Sequence, residues 1–274
     1  MTLTMRDRAK AFSGEVIFYE HPSSTTKTPM RFGTFTPSGP IKKVLIWLSG
    51  LTCTDENFLT KGGALKAAND LGIALIAPDT SPRGLNLPAE HDSWDFGSGA
   101  GFYLDATMAP WKDHYLMESY VTKELIAILK ESFGYAKPFA LSGHSMGGHG
   151  ALTLGIKNPD LFSSISAFAP ITAPSKVPWG QKAFSQYLGD DEESWQAYDA
   201  CALVARLGYN RKILVDQGDQ DAALKTQLRP DLFMQACKNA CVDLNLRFQK
   251  GYDHGYFFVS TFMADHLRFH LEAS

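Results

Sequence analysis

The chain has 274 residues, 45% of them hydrophobic and 20% charged, with a formal net charge of −3. That mix suits an ordinary globular core and excludes the basic excess of a nucleic-acid-binding surface. No apolar stretch approaches the roughly 20 residues that span a bilayer, so neither nucleic acid nor membrane is expected as a partner.

The first eight residues lack the apolar core of a signal peptide, and none is expected. Residues 15–20 and 30–36, separated by the polar stretch 22–26, predict an N-terminal antiparallel hairpin. From residue 42 the pattern changes. Short uninterrupted apolar runs at 44–48, 73–77, 139–141, 164–168, 213–215 and 244–248 read as strands buried on both faces. Helical periodicity falls between and after them, at 65–69, 120–133, 148–157, 231–240 and 257–271. Such alternation predicts an α/β fold with a central, mostly parallel sheet flanked by helices, in a single domain over residues 1–274.

Two long stretches, 79–115 and 170–200, read as irregular. Their aromatic residues Trp94, Phe96, Phe102, Tyr103, Trp111, Trp179, Phe184 and Tyr187 argue against disorder and predict walls of a pocket above the sheet. The four cysteines, Cys53, Cys201, Cys237 and Cys241, are unevenly spaced with no C-x-x-C pair, which predicts reduced thiols and a cytoplasmic setting. Cys237 and Cys241 share a predicted helix, but no second ligand pair follows at zinc spacing, so no metal is expected.

Gly143-His144-Ser145-Met146-Gly147 matches G-x-S-x-G. Chance supplies that pattern in roughly one chain in ten of this length, so the context decides. It follows a predicted strand and opens a predicted helix, the setting of a nucleophile elbow in an α/β-hydrolase fold. A strained serine at such a turn requires glycine two residues before and two after it. Ser145 is therefore the expected nucleophile.

A serine hydroxyl needs an adjacent base, and in this fold class the chain order is serine, acid, histidine. Of the eight histidines, His254 lies between the last predicted strand and the last predicted helix, where a base belongs. His266 and His270 are four apart, but Leu267 follows His266 where a zinc motif requires glutamate. Three carboxylates follow the strand at 213–215: Asp216, Asp219 and Asp221. Spacing favours Asp221 modestly and leaves the others open. The oxyanion of acyl transfer is bound by two backbone N–H groups, each worth about 3–4 kcal/mol. Met146, after the nucleophile, supplies one; Leu51, after the strand at 44–48, supplies the other. Cys53 then lies near the site.

The segments Leu48-Ser49-Gly50-Leu51-Thr52-Cys53-Thr54-Asp55-Glu56-Asn57-Phe58, Pro78-Asp79-Thr80-Ser81-Pro82-Arg83-Gly84, the elbow, Pro178-Trp179-Gly180 with Tyr187-Leu188-Gly189, Asp216-Gln217-Gly218 with Asp221, and Tyr252-Asp253-His254 follow one another over nearly the whole chain. In this the chain resembles the S-formylglutathione hydrolases, the esterase D type of carboxylesterase. The resemblance implies a cytosolic thioesterase with Asp221 as the acid, Leu51 and Met146 as oxyanion donors, no metal or organic cofactor, and often a homodimer. It further implies a small-molecule thioester substrate with two carboxylates on its glutathione moiety. Lys61 and Arg83, on loops near the predicted mouth, are the expected cations for those carboxylates, and Trp94, Trp179 and Cys53 are further expected substrate contacts. A general carboxylesterase or acyltransferase with the same triad, or a non-catalytic binding protein on this fold, are the alternatives.

Overall fold

The computed structural model describes residues 2–136 and 138–273. Among them nine strands, β1 (Thr4–Ala11), β2 (Gly14–Pro22), β3 (Pro29–Thr36), β4 (Lys43–Leu48), β5 (Ile73–Pro78), β6 (Phe139–His144), β7 (Phe162–Phe168), β8 (Ile213–Gly218) and β9 (Leu244–Gln249), form one sheet. Their order is β1-β2-β3-β5-β4-β6-β7-β8-β9. The first three and β5 pair antiparallel; β5, β4, β6, β7, β8 and β9 pair parallel. The six apolar runs all become strands of this parallel part, and the predicted hairpin is β2–β3. Strand β1 adds a third antiparallel member. Its sequence, Thr-Met-Arg-Asp-Arg-Ala-Lys-Ala, is exposed along almost its whole length at the sheet edge, and the charges on it discourage pairing with another chain.

Among the described residues ten α-helices accompany the sheet: α1 (Asn57–Lys61), α2 (Leu65–Leu71), α3 (Met117–Ser119), α4 (Ile126–Phe133), α5 (Met146–Lys157), α6 (Pro178–Tyr187), α7 (Glu192–Trp195), α8 (Ala200–Leu207), α9 (Pro230–Asn239) and α10 (Tyr256–Glu272). A π-helical stretch, Tyr120–Leu125, leads into α4. Strand β7 shows how two helical layers share the sheet. Ile165 faces Gly155 of α5, whereas Ser164 and Ser166 face His270 of α10. Alternate residues of a strand point to opposite faces, so α5 and α10 cover opposite sides. α8 and α9 join the α5 side, and α2 joins α10.

Two expectations about the long stretches are corrected. Residues 170–200 are not irregular, for α6 and α7 lie within them. Most of the loop aromatics are core rather than pocket wall. Phe96, Phe102, Tyr103, Trp111, Phe184 and Tyr187 are buried, and Phe96 stacks on Tyr187 at 4.7 Å between ring centroids. Tyr187 also ties the loop by donating its hydroxyl to the Ala100 carbonyl and accepting from Gly97 N–H, both at 3.0 Å. Aromatic rings offer the large apolar area needed to pack a segment with no ladder of its own. Trp94 and Trp179 alone of the eight keep substantial exposure.

The order of strands positions the site. After β4 the chain crosses to β5 on one side; after β5 it returns to β6 on the other side of β4. The crevice at the carboxyl ends of β4 and β6 is thus a topological switch point, where ligands bind in open α/β sheets.

Candidate active site

At this switch point the chain turns sharply from β6 into α5. Ser145 occupies the turn at φ 58° and ψ −119°, a left-handed conformation unfavourable for a residue with a side chain. Its amide donates to the Phe168 carbonyl at 2.9 Å, and its own carbonyl accepts from His149 N–H at 2.9 Å. A Cβ on Gly143 would overlap the Gly147 backbone, and one on Gly147 would overlap the Leu48 carbonyl. Only glycine fits at either flank, as the elbow reading requires.

The loop after β4 lies directly against the elbow. A Cβ on Gly50 would stand 3.2 Å from the Ser145 Cβ and from the His144 carbonyl oxygen. Leu51 follows Gly50, and Met146 opens α5. Among the described residues neither of their N–H groups meets an acceptor. The loop is held by Tyr103, whose hydroxyl donates to the Ser49 carbonyl at 2.9 Å, and by Thr52 N–H donating to Gly99 O at 2.9 Å.

The loops after β8 and β9 bring Asp221 and His254 together. His254 Nδ1–H donates to Asp221 Oδ2 at 2.5 Å. The Asp221 side chain is fully buried, whereas that of His254 is 32% exposed. Gln217 Nε2 donates to the same Oδ2 at 3.3 Å, and Ala223 N–H donates to Oδ1 at 2.8 Å. These bonds fix the carboxylate and, through it, the imidazole tautomer with Nε2 free to accept. The two other candidate acids, Asp216 in β8 and Asp219 just after it, have different partners. Asp216 is forked by Arg247 of β9 at 2.5 and 2.7 Å. Asp219 accepts from Gly251 N–H at 2.8 Å and so fixes the return loop. His144 packs its buried ring 4.6 Å from that of His254, and burial, then the neighbouring imidazole, hold it well below the usual histidine range.

A cleft of about 620 Å³ opens beside this pair, lined by His254, Asp221, Trp179, Ala223, Thr226 and Gln227 among others. The arrangement of a strained serine, two free amides and a carboxylate-oriented imidazole suits nucleophilic acyl transfer.

Comparison with known proteins agrees. The Esterase family model ("Putative esterase") matches residues 23–269. S-formylglutathione hydrolase of Mus musculus is 49% identical over 277 residues, covering 98% of each chain. That of Arabidopsis thaliana is 50% identical over 273 residues, covering 96% of this chain and 95% of its own. The solved structure of the S-formylglutathione hydrolase from Agrobacterium tumefaciens superposes with a TM-score of 0.95 at 46% identity, covering 98% and 99% of the two chains.

The chain belongs to the S-formylglutathione hydrolase family.

Within this S-formylglutathione hydrolase fold the weaker candidates sort unevenly. Trp179, at the start of α6, lines the cleft and makes an edge contact with Trp94 at 5.3 Å; Trp94 is 56% exposed. Cys53 is half-buried with Sγ 4.0 Å from the Tyr256 hydroxyl, and burial raises its thiol above the usual range. Lys61 stands exposed at the end of α1. Arg83 is not a free cation. Its Nε and Nη2 fork Asp79 at 2.8 Å each, and Nη2 also donates to the Cys53 carbonyl at 2.9 Å. It braces the loop after β4 instead of facing the cleft. Cys237 is buried in α9 and Cys241 exposed beyond it, and among the described residues no group of three or more His, Cys, Asp or Glu is placed to hold a metal ion. No helix of the described residues is long and apolar enough to cross a membrane. Gln217 and His144 were not singled out by the sequence reading. A glutamine beside Asp216 at the end of the buried strand β8 was the one local signal for the former.

Proposed function

We propose that this enzyme is a serine thioesterase that hydrolyses S-formylglutathione to glutathione and formate, the hydrolytic step of formaldehyde detoxification, with side activity on short-chain esters. The hydrogen bond from His254 to Asp221, beside a serine held at an elbow, carries the reading of the chemistry. The named relatives of about 50% identity carry the substrate.

Ser145 Oγ attacks the formyl carbon while His254 Nε2 takes its proton. Asp221 orients the imidazole and stabilises it once charged. Leu51 and Met146 N–H bind the tetrahedral oxyanion. The intermediate collapses as the C–S bond breaks and the imidazolium returns its proton to the departing sulfur. A thiol is far more acidic than an alcohol, so its sulfur leaves readily. Water then attacks the formyl-enzyme, giving up a proton to His254, and formate departs as Ser145 regains its hydrogen. No metal or organic cofactor has a role in these steps. The Trp94–Trp179 edge and exposed Lys61 are proposed contacts for the glutathione moiety. The thiol usage and the resemblance support a cytoplasmic enzyme, the latter a homodimer as well, and the charge balance supports one without a nucleic-acid partner.

The test is thioester hydrolysis by wild type and Ser145→Ala, with covalent labelling by a fluorophosphonate. Wild type is expected to turn over S-formylglutathione and to label; Ser145→Ala is expected to do neither. A higher kcat/KM for short aryl esters than for S-formylglutathione would assign a general carboxylesterase. Failure of wild type to label would point to a non-catalytic binding protein.

A further inference from the structure

The loop after β4 is fastened to a strand that takes no part in the chemistry. Arg6 sits in β1 where the register against β2 slips between Met5 and Asp7. Such a bulge re-aims a side chain out of the regular alternation. Arg6 Nη1 lies 3.0 Å from Asp55 Oδ2, and Nη2 lies 3.3 Å from Glu56 Oε1. The Asp55 side chain is only 2% exposed. The like charge that acts on it most, Asp79, is already forked by Arg83. Arg6 is therefore the direct cationic partner of a buried carboxylate four residues beyond Leu51, and stripping one partner from such a pair leaves an uncompensated charge.

The same loop is gripped at a second point. The Cys53 carbonyl accepts from Arg83 Nη2 at 2.9 Å and from Thr80 Oγ1 at 2.6 Å. Between that grip and the Gly50 contact with the elbow lies the Leu51 amide. A backbone donor stabilises an oxyanion only if it is fixed before the charge develops. Arg83 and Thr80 grip the loop two residues beyond Leu51 from the β5 side, and Arg6 secures that same arm two residues further on from the edge of the sheet.

We propose that Arg6 is a positioning residue for the oxyanion hole, holding through Asp55 the loop that presents Leu51 N–H to the substrate. The proposal rests on the reading of Leu51 as an oxyanion donor.

The experiment is steady-state hydrolysis of S-formylglutathione at pH 8 by wild type, Arg6→Ala, Arg6→Lys, Asp55→Asn and the Arg6→Ala/Asp55→Asn double variant, with melting temperatures recorded alongside. Arg6→Ala is expected to lower kcat about tenfold with KM within about twofold, the pattern of an interaction made only in the transition state. Arg6→Lys recovers most of the loss. The double variant exceeds Arg6→Ala because it leaves no bare carboxylate. Phenylboronic acid, whose tetrahedral adduct fills the oxyanion hole, binds Arg6→Ala about tenfold more weakly, while product inhibition by glutathione is unchanged. Wild-type kcat in Arg6→Ala, a loss confined to KM, or equal weakening of the boronic acid and glutathione overturns the proposal. If Arg6→Ala does not fold, Asp55→Asn decides. A fall in kcat with KM intact supports the clamp, and wild-type kcat overturns it. If wild type fails on S-formylglutathione, the substrate reading falls by itself. The same series on 4-nitrophenyl acetate, which needs the same hole, still decides the role of Arg6.

Discussion

His254 and Asp221 meet through one hydrogen bond of 2.5 Å, from Nδ1–H to Oδ2, although 33 residues separate them in the chain. The carboxylate is itself immobilised by Gln217 and Ala223, so the imidazole has one orientation and one tautomer. Asp221→Asn keeps the shape but offers an amide that can favour the wrong tautomer. We expect kcat to fall about 10³- to 10⁴-fold with little change in melting temperature. Initial-rate kinetics on purified protein check this, and a loss below about tenfold would show that His254 acts without the carboxylate.

The elbow makes a sharper structural demand. A methyl on Gly147 has no space beside the Leu48 carbonyl, which belongs to the end of a central strand and cannot retreat. Gly147→Ala should destabilise by about 3 kcal/mol or more, or fail to fold, and lose esterase activity. Gly39→Ala is the control, since a methyl there meets nothing within 4 Å. Melting curves and activity of the two variants decide. Equal behaviour would contradict the close approach of β4 to the elbow.

The parallel strands and the elbow were legible in the sequence because their signals are local. An apolar run buried on both faces, or a glycine two residues from a strained serine, carries its reason within a few residues. Strand β1 was not legible, since an exposed edge strand has no buried face to impose alternation. Helix α6 was hidden by its opening Pro178-Trp179-Gly180. Those residues read as turn, although proline is well suited to a first helical turn and a Cβ on Gly180 would overlap the Pro174 backbone. The choice among Asp216, Asp219 and Asp221 was open on spacing because it depends on which carboxylate the β9 loop reaches. Arg83 looked available as a cation. Asp79, four residues earlier, takes its guanidinium, and only the fold reveals that pairing.

Asp55 predicts a conflict between stability and rate. Burial, then the like charge of Asp79, raise its carboxyl to about 6, against the opposing pull of Arg6, while Glu56 raises it further. Arg31 of β3 also carries its charge toward Asp55 and Asp79. An acid whose folded value is raised binds its proton more tightly when folded. It therefore costs stability at pH values above 6, and that cost is relieved as pH falls through 6 toward the unfolded value. Asp55→Asn should melt higher than wild type at pH 8, with the difference shrinking toward pH 5. Differential scanning fluorimetry at the two pH values tests it. A constant difference would mean that the ion pair with Arg6 balances the burial, and one that grows at low pH that it outweighs it.

The buried histidines run the other way and set the acid limit of the fold. His144, His149, His266 and His270 are all buried, and burial is the largest cause holding each below the usual histidine range. His149 is pushed down to about 4; its Nε2–H donates to the Phe102 carbonyl at 2.9 Å. His270 bridges Ser164 and Ser166 at 2.8 Å each. His266 faces Ser166 at 2.9 Å and Asp216 at 3.4 Å, with Arg247 beyond. A base whose folded value is depressed contributes stability that is complete above its unfolded value near 6.5 and is lost as pH falls below it. For His149 the full loss is on the order of 3 kcal/mol, reached below its folded value of about 4. The melting temperature should therefore drop between pH 7 and 5. His149→Gln keeps an N–H for the Phe102 carbonyl but cannot take up a proton, so its melting temperature should fall less steeply over that interval. Parallel pH profiles for the two proteins would show that His149 does not drive the acid transition.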